Sequence, residues 1–383
     1  MCAASSRRPS SPARRSRRAC REAWRAVRIA VLGVGLIGGS IALAARQRVP
    51  DATVVGWDPA PDALARARER GALDEAAPSL AEALAGAGAC FLCAPVGQLA
   101  DLAAAALAAA PRDCVVSDVG SAKAPLARAS RDERFIGGHP LAGAETAGVE
   151  HARGDLFDGA VWYLTPTPHS SGILYERLHR LIVTFGARPV AIDADRHDRL
   201  VAAVSHLPHV LANVLAVNAA CAAEREREPV PPLAPSLRDA TRVAGANSDI
   251  WTDIYLANRD AIADEVERVR AALGEVVAAL RRGDPGWVRD WNERARAARR
   301  TLVERDLAEG PLHELAFVVP NRPGVVAQVA LGLSRAGVNI ADLALAPAAD
   351  MRSGAITVWV AGDEQADRAR EVIEGLGFAV AER

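Results

Sequence analysis

The chain has 383 residues, half of them apolar, and a formal net charge of −1 from 46 basic and 47 acidic side chains. That balance excludes a protein drawn to nucleic acid or to an acidic membrane by its overall charge, and the length exceeds one ordinary core, so two or three domains are expected. No uninterrupted apolar run approaches the ~20 residues of a bilayer span, and the chain reads as a soluble globular protein without a membrane partner.

The chain opens on residues 1–26, where Arg7, Arg8, Arg14, Arg15, Arg17, Arg18, Arg21 and Arg25 are mixed with Ser, Pro and Ala. There is no apolar core of a secretory signal. The segment reads as a disordered basic tail, or a start assigned too far upstream, rather than a nucleic-acid arm. A strand expected at 27–32 then runs into Gly33-Val34-Gly35-Leu36-Ile37-Gly38. A helical pattern at 38–48 follows, and a second strand at 53–57 ends on Asp58. A G-x-G-x-x-G between a strand and a helix, with an acid about 20 residues on, is a dinucleotide fingerprint. Gly33 allows the tight turn, Gly35 lets backbone approach a pyrophosphate, and Gly38 lets helix and strand pack closely. The helix N-terminus favours the phosphates. Asp58 accepts from ribose hydroxyls and repels a 2′-phosphate, and Pro59-Ala60-Pro61 supplies no cation, so the cofactor is NAD rather than NADP. Leu36, Ile37 and Pro95 are assigned to the same cofactor site.

Further strands are expected at 89–93, 114–118, 134–137, 160–165 and 188–192, with helices at 61–70, 79–85, 96–110, 122–129 and 171–185. That alternation describes an open, mainly parallel α/β sheet covered on both faces, a Rossmann-like domain over 27–193. Its ligands lie beyond the carboxyl ends of the strands. Cys90 and Cys93 form a C-x-x-C inside an apolar run with no second Cys or His pair nearby, so they read as small core residues. The cysteine usage suits a reducing cytoplasm, and no metal site is expected.

From 194 to 309 strand signals vanish. Helices are expected at 196–221, 236–243, 249–280 and 286–309, with a charged, proline-rich loop at 224–235. From 312 to 383 the pattern becomes β-α-β-β-α with a short final strand at 378–380, a small ferredoxin-like unit.

Outside the glycine loop, chemistry-bearing residues fall in four clusters. These are Ser117-Asp118-Val119-Gly120-Ser121-Ala122-Lys123 at a strand end and Gly137-Gly138-His139-Pro140-Leu141-Ala142-Gly143-Ala144-Glu145, read as a glycine-rich loop. The others are Ser205-His206-Leu207-Pro208-His209 in a helix and Thr241-Arg242-Val243-Ala244 with Ser248-Asp249-Ile250-Trp251. Singly, each has a structural explanation: a turn cap, a core histidine, a solvated arginine. Together they supply a base that titrates near neutrality in His139, a hydroxyl on the neighbouring strand end in Ser121, and a carboxylate fork in Arg242. Beside a nicotinamide they suit oxidation of an alcohol on an acidic substrate.

Through these motifs, taken in order, residues 27–309 resemble the prephenate/arogenate dehydrogenase family of tyrosine biosynthesis, and the tail from Leu312 looks like an ACT domain. The resemblance implies oxidation of prephenate at C4, hydride transfer to NAD, loss of CO₂ and formation of 4-hydroxyphenylpyruvate. It implies that His139 deprotonates the C4 hydroxyl and that Ser121 bonds the same hydroxyl and holds nicotinamide and substrate in register. Arg242 would bind a substrate carboxylate, Ser205, His209 and Trp251 would form the pocket wall, Glu145 would read the side chain, and His206 would face away. It further implies a homodimer through the helical domain and an amino-acid effector, tyrosine, at the ACT-like module. Arogenate is the alternative substrate, and a non-catalytic NAD and amino-acid sensor the alternative function.

Overall fold

The computed structural model describes residues 27–143, 146, 148–226, 235–306, 311–320, 325–338, 340, 342–347 and 353–381. The basic tail, Glu145 and the loops at 227–234 and 321–324 lie outside the described residues. The chain divides into two compact units, Met1–Arg270 and Ala271–Arg383.

The first unit begins with a parallel sheet of β1 (Arg28–Leu32), β2 (Thr53–Trp57), β3 (Glu75–Ala76), β4 (Ala89–Leu92) and β5 (Val115–Asp118), in the order β3-β2-β1-β4-β5. Its helices are α1 (Leu36–Arg48), α2 (Pro61–Glu69), α3 (Leu80–Leu84), α4 (Leu99–Ala109) and α5 (Ala124–Ala129). After Arg28, β1 is a continuous apolar run, Ile29–Leu32, because both of its faces are covered. Ile29 and Val31 enter one core with Ile41 and Phe91, while Ala30 and Leu32 enter the other with Leu99 and Val116. The two-residue β3 had no strand signal in the sequence.

A second sheet holds β6 (Gly137–Pro140), β7 (Val161–Thr165) and β8 (Arg188–Ala191), with α6 (Gly172–Thr184) between the last two. β6 runs antiparallel to β7, and β7 parallel to β8. A parallel bridge, Val116 to Phe135, joins this sheet to β5. Here the expectation needs correction. The strand was expected at 134–137 with His139 in the loop beyond it, but His139 sits within β6, opposite Tyr163. The glycines that read as a loop mark close backbone approach instead. A Cβ at Gly138 would lie 2.7 Å from the Asp118 carbonyl oxygen, and one at Gly137 2.4 Å from Thr165 Oγ1.

Helices then follow: α7 (Ala194–Val201), a π-helical turn (Ala202–His206), α8 (Leu207–Glu226), α9 (Pro235–Thr241), a 3₁₀ turn (Arg242–Gly245), α10 (Ser248–Ala257) and α11 (Arg259–Arg282). In the π turn, the Leu207 N–H bonds the Ala202 carbonyl five residues back. Pro208 follows at once, and its missing N–H removes a donor from the ordinary ladder. A single helix was expected over 249–280, but Asn258, at φ −116 and ψ 27, separates α10 from α11. A second correction concerns hydropathy. The run Ala194–Ala222 is, by length and composition, apolar enough to cross a bilayer. Its polar side chains His197, Asp198, His206 and His209 are nevertheless buried against other elements of the same unit.

The second unit contains α12 (Pro285–Asp306), β9 (Leu312–Pro320), α13 (Val325–Arg335), β10 (Asp342–Pro347), β11 (Ser353–Ala361), α14 (Asp363–Gly375) and β12 (Val380–Ala381). Its antiparallel sheet has the order β10-β11-β9-β12, the β-α-β-β-α-β pattern expected from sequence. Ile356, Val358 and Val360 face a core with Phe317, Val329 and Ile373. Trp359 points the other way, with the Arg299 guanidinium of α12 5.2 Å from its ring centre.

Candidate active site

The glycine turn is built from two positions that demand glycine and one that keeps space open. Gly33 has φ +96, and a Cβ there would lie 2.3 Å from the Cys93 carbonyl oxygen. A Cβ at Gly38 would lie 1.9 Å from the Gly33 carbonyl oxygen. Gly35, which caps α1, would meet nothing within 4 Å. That open cradle at a helix N-terminus fits a pyrophosphate. Asp58 braces the turn: its carboxylate accepts from the Val34 N–H and the Ala60 N–H, each at 2.9 Å. Its remaining lone pairs suit ribose hydroxyls. Leu36 and Ile37 open α1, and Pro95 precedes the turn Val96–Gln98. There the Gly97 N–H bonds Asp253 Oδ2 of α10 at 3.2 Å. Gly35→Ala should therefore leave the melting temperature of the unliganded protein unchanged and weaken NAD binding at least tenfold. By contrast, Gly38→Ala should cost about 1–3 kcal/mol through overpacking. Thermal melts with and without NAD separate the two.

The chemistry clusters meet where the carboxyl ends of β5 and β6 approach α7 and the π turn. Asp118 closes β5 and accepts from the Gly120 N–H at 2.9 Å and the Gly138 N–H at 3.2 Å. Lys123 Nζ contacts the Asp118 carboxylate and donates to the Gly138 carbonyl at 2.8 Å. Both partners are buried, Lys123 to 1% exposure, and burial pulls the ammonium below its ordinary range against the pull of Asp118. Lys123 is the only lysine of the chain.

His139 Nδ1 lies 2.9 Å from His197 Nε2. His197 Nδ1 lies 2.8 Å from Asp198 Oδ1. Asp198 is held in turn by the backbone N–H groups of Lys123 at 2.7 Å and Ala124 at 2.8 Å. Burial, then the neighbouring His197, Lys123 and His206, drive the His139 pKa well below its ordinary value, so the ring is a neutral base. His206, at 1% exposure, takes the Asn258 Nδ2 on its Nδ1 at 3.2 Å. Burial pushes its pKa down to about 4. The same Asn258 amide donates to the Asp198 carbonyl at 2.8 Å, which is what the break between α10 and α11 makes possible.

Trp251 stacks flat on His209, with ring centres 3.5 Å apart, and meets His206 edge-on at 6.0 Å. His209 Nδ1 bonds the Tyr255 hydroxyl at 2.5 Å. Ser121 Oγ and His206 Nε2 are buried with no hydrogen-bonding partner among the described residues. Buried groups of this kind are costly unless something polar meets them, and they suit an oxygen-rich ligand.

His139, His209 and Trp251 thus lie in the cluster, and Ser121 leaves its hydroxyl unspent. Two assignments change places. His206, expected to face away, is buried in the cluster, whereas Ser205 is exposed. Arg242 is exposed on the 3₁₀ turn that packs against α8. Sequence reading missed His197, Asp198, Asn258 and Tyr255, and gave Asp118 and Lys123 no role within the cluster that contains them. The one available signal for the first two was a His-Asp pair in the first turns of a helix directly after a strand end. In Arg196-His197-Asp198-Arg199 that pair looks like a solvated charge run.

Comparison with known proteins places this geometry among relatives. Residues 41–191 match the family model of the prephenate dehydrogenase nucleotide-binding domain, residues 193–291 that of the prephenate dehydrogenase dimerization domain, and residues 315–376 an AHAS small subunit-like ACT domain. A prephenate dehydrogenase of Bacillus subtilis is 28% identical over 90% of this chain and 95% of its own length. A cyclohexadienyl dehydrogenase of Zymomonas mobilis is 31% identical over 72% of this chain and 95% of its own. Among solved structures, the Aquifex aeolicus prephenate dehydrogenase in complex with hydroxyphenyl propionate and NAD⁺ superposes with a TM-score of 0.69. It is 26% identical and covers 72% of this chain and 98% of that one. A Synechocystis arogenate dehydrogenase gives 0.60 at 28% identity, over 73% and 99%.

Proposed function

Because this chain belongs to the prephenate dehydrogenase family, we propose that it oxidatively decarboxylates prephenate to 4-hydroxyphenylpyruvate with NAD. The carrying observation is a neutral, half-buried His139 in β6, together with the unspent Ser121 hydroxyl beyond β5 and the open Gly35 cradle beyond β1. Gly33, Gly35, Leu36, Ile37, Gly38, Asp58 and Pro95 would hold NAD, which when bound supplies the acceptor for the C4 hydride. His139 takes the C4 hydroxyl proton as the carbonyl forms. The ring carboxylate leaves as CO₂, its electron pair aromatises the ring, and the resulting oxyanion retakes that proton. Ser121 orients the hydroxyl. Exclusion of water by the His206, His209 and Trp251 wall strengthens each of these polar contacts. Arg242 is proposed to meet a substrate carboxylate once substrate binds, Ser205 to line the pocket, and Glu145 to read the substrate side chain.

We further propose a homodimer through the helical domain, a tyrosine-binding role for the ACT-like module, and a cytoplasmic setting. The last is supported by the free thiols of Cys90, Cys93, Cys114 and Cys221. The test is NAD⁺ reduction followed at the nicotinamide absorbance band, with prephenate and arogenate in parallel and with added tyrosine. Turnover of prephenate is expected. Turnover of arogenate alone would change the substrate and keep the chemistry, and silence with both in a protein that binds NAD would favour the sensor.

A further inference from the structure

We propose that His197 and Asp198 are positioning residues that set the tautomer of His139, so that its Nε2 carries the free lone pair. The argument follows hydrogens through three side chains. Asp198 is an acceptor only: Oδ1 takes the Lys123 N–H and Oδ2 the Ala124 N–H. The contact from His197 Nδ1 to Oδ1 is therefore a donation by His197. When His197 carries one proton, the one it donates from Nδ1, its Nε2 is bare. The 2.9 Å contact between that Nε2 and His139 Nδ1 then requires the proton to sit on His139 Nδ1. His139 Nε2 is left as the acceptor, the state a general base needs.

A neutral histidine side chain alone in water favours the opposite arrangement, with the proton on Nε2, so the relay supplies something that the side chain alone does not. His197 is fully buried and packs edge-on against Tyr163, with ring centres 5.5 Å apart. The groups that face His139 are His197 from α7, Lys123 ahead of α5 and His206 from the π turn, and among them His197 is the one bonded to its Nδ1. The order Asp–His–His differs from a serine-hydrolase triad in that the final member is itself the base. The logic of tautomer control is the same.

The inference rests on the dehydrogenase reading for what His139 does, but not for its tautomer, which is measurable without substrate. In histidine-¹⁵N-labelled protein, two-bond proton–nitrogen spectra should show His139 protonated on Nδ1. In His197→Leu the His139 signal should move to the Nε2-protonated form, and kcat should fall on the order of 10²-fold with KM for NAD unchanged. His197→Gln, whose amide oxygen can still accept from Nδ1, should restore most of both. A wild-type spectrum with the proton on Nε2 would overturn the proposal. So would a His197→Leu variant that is folded by thermal melting yet keeps the Nδ1 tautomer or full kcat. If the spectra behave as expected and no prephenate turns over in the wild type, the reaction assignment fails while the relay stands.

Discussion

His139→Asn should lower kcat for prephenate by about 10²–10⁴-fold and leave the affinity for NAD unchanged. The side chain that disappears is the one proposed above to take the C4 hydroxyl proton. The cradle at Gly35 and the Asp58 carboxylate belong to other strands. Because burial and the His197, Lys123 and His206 neighbours hold His139 neutral, the wild-type pH profile should carry the sign of a depressed base. kcat/KM should stay level as the pH falls from 8 through the ordinary histidine value of about 6.5, and drop only well below it. The variant should lack that acid limb. A fall in kcat of less than tenfold, or an acid limb that survives in His139→Asn, would assign the base elsewhere. Isothermal titration with NAD distinguishes lost chemistry from lost binding.

Lys123→Met should cost about 3–5 kcal/mol of stability, because it strands the Asp118 carboxylate in the interior without its countercharge. For a unit of this size that corresponds to a fall in melting temperature on the order of 10 °C. Addition of Asp118→Asn should recover part of the loss. The charge is then gone, although one of the N–H groups of Gly120 and Gly138 loses its acceptor. Lys123→Arg should fail as well, since the planar guanidinium is too large for a slot closed by the Gly138 carbonyl. A chain rich in arginine keeps a single lysine, and it keeps it where a compact ammonium fits between β5 and β6. Equal stability of the single and double variants would show that the pair contributes nothing by its charge.

The parts of this molecule legible in the sequence are those whose cause is local. The glycine turn follows in part from local backbone, the positive φ of Gly33 and the contact of Gly38 with the Gly33 carbonyl, and Asp58 follows from its place at a strand end. The antiparallel module from Leu312 shows a period of two along β11 and an amphipathic α13. What was not legible depends on burial created by docking. His139 and His197 are 58 positions apart, and nothing near Arg196-His197-Asp198-Arg199 tells a solvated run from an interior relay. Gly137 and Gly138 misled for a related reason. Glycine signals either a loop or a close approach, and the partner that decides, Asp118, lies on another strand. The exchange of Ser205 and His206 arises in the π turn, where the residues of the helix do not keep ordinary α-helical bonding.

Asp198 belongs to α7, among the elements that follow the nucleotide-binding sheet, yet its carboxylate is moored to the backbone of Lys123 and Ala124 on the sheet side. The same carboxylate is the acceptor for His197. Mechanical seam and chemical setting therefore share one functional group, which makes the joint an interlock. A motion that parted α7 from the start of α5 would leave the His197 proton unanchored and disarm His139 in the same movement. An open form of the enzyme could hold its cofactor without being able to draw a proton from anything that wandered in.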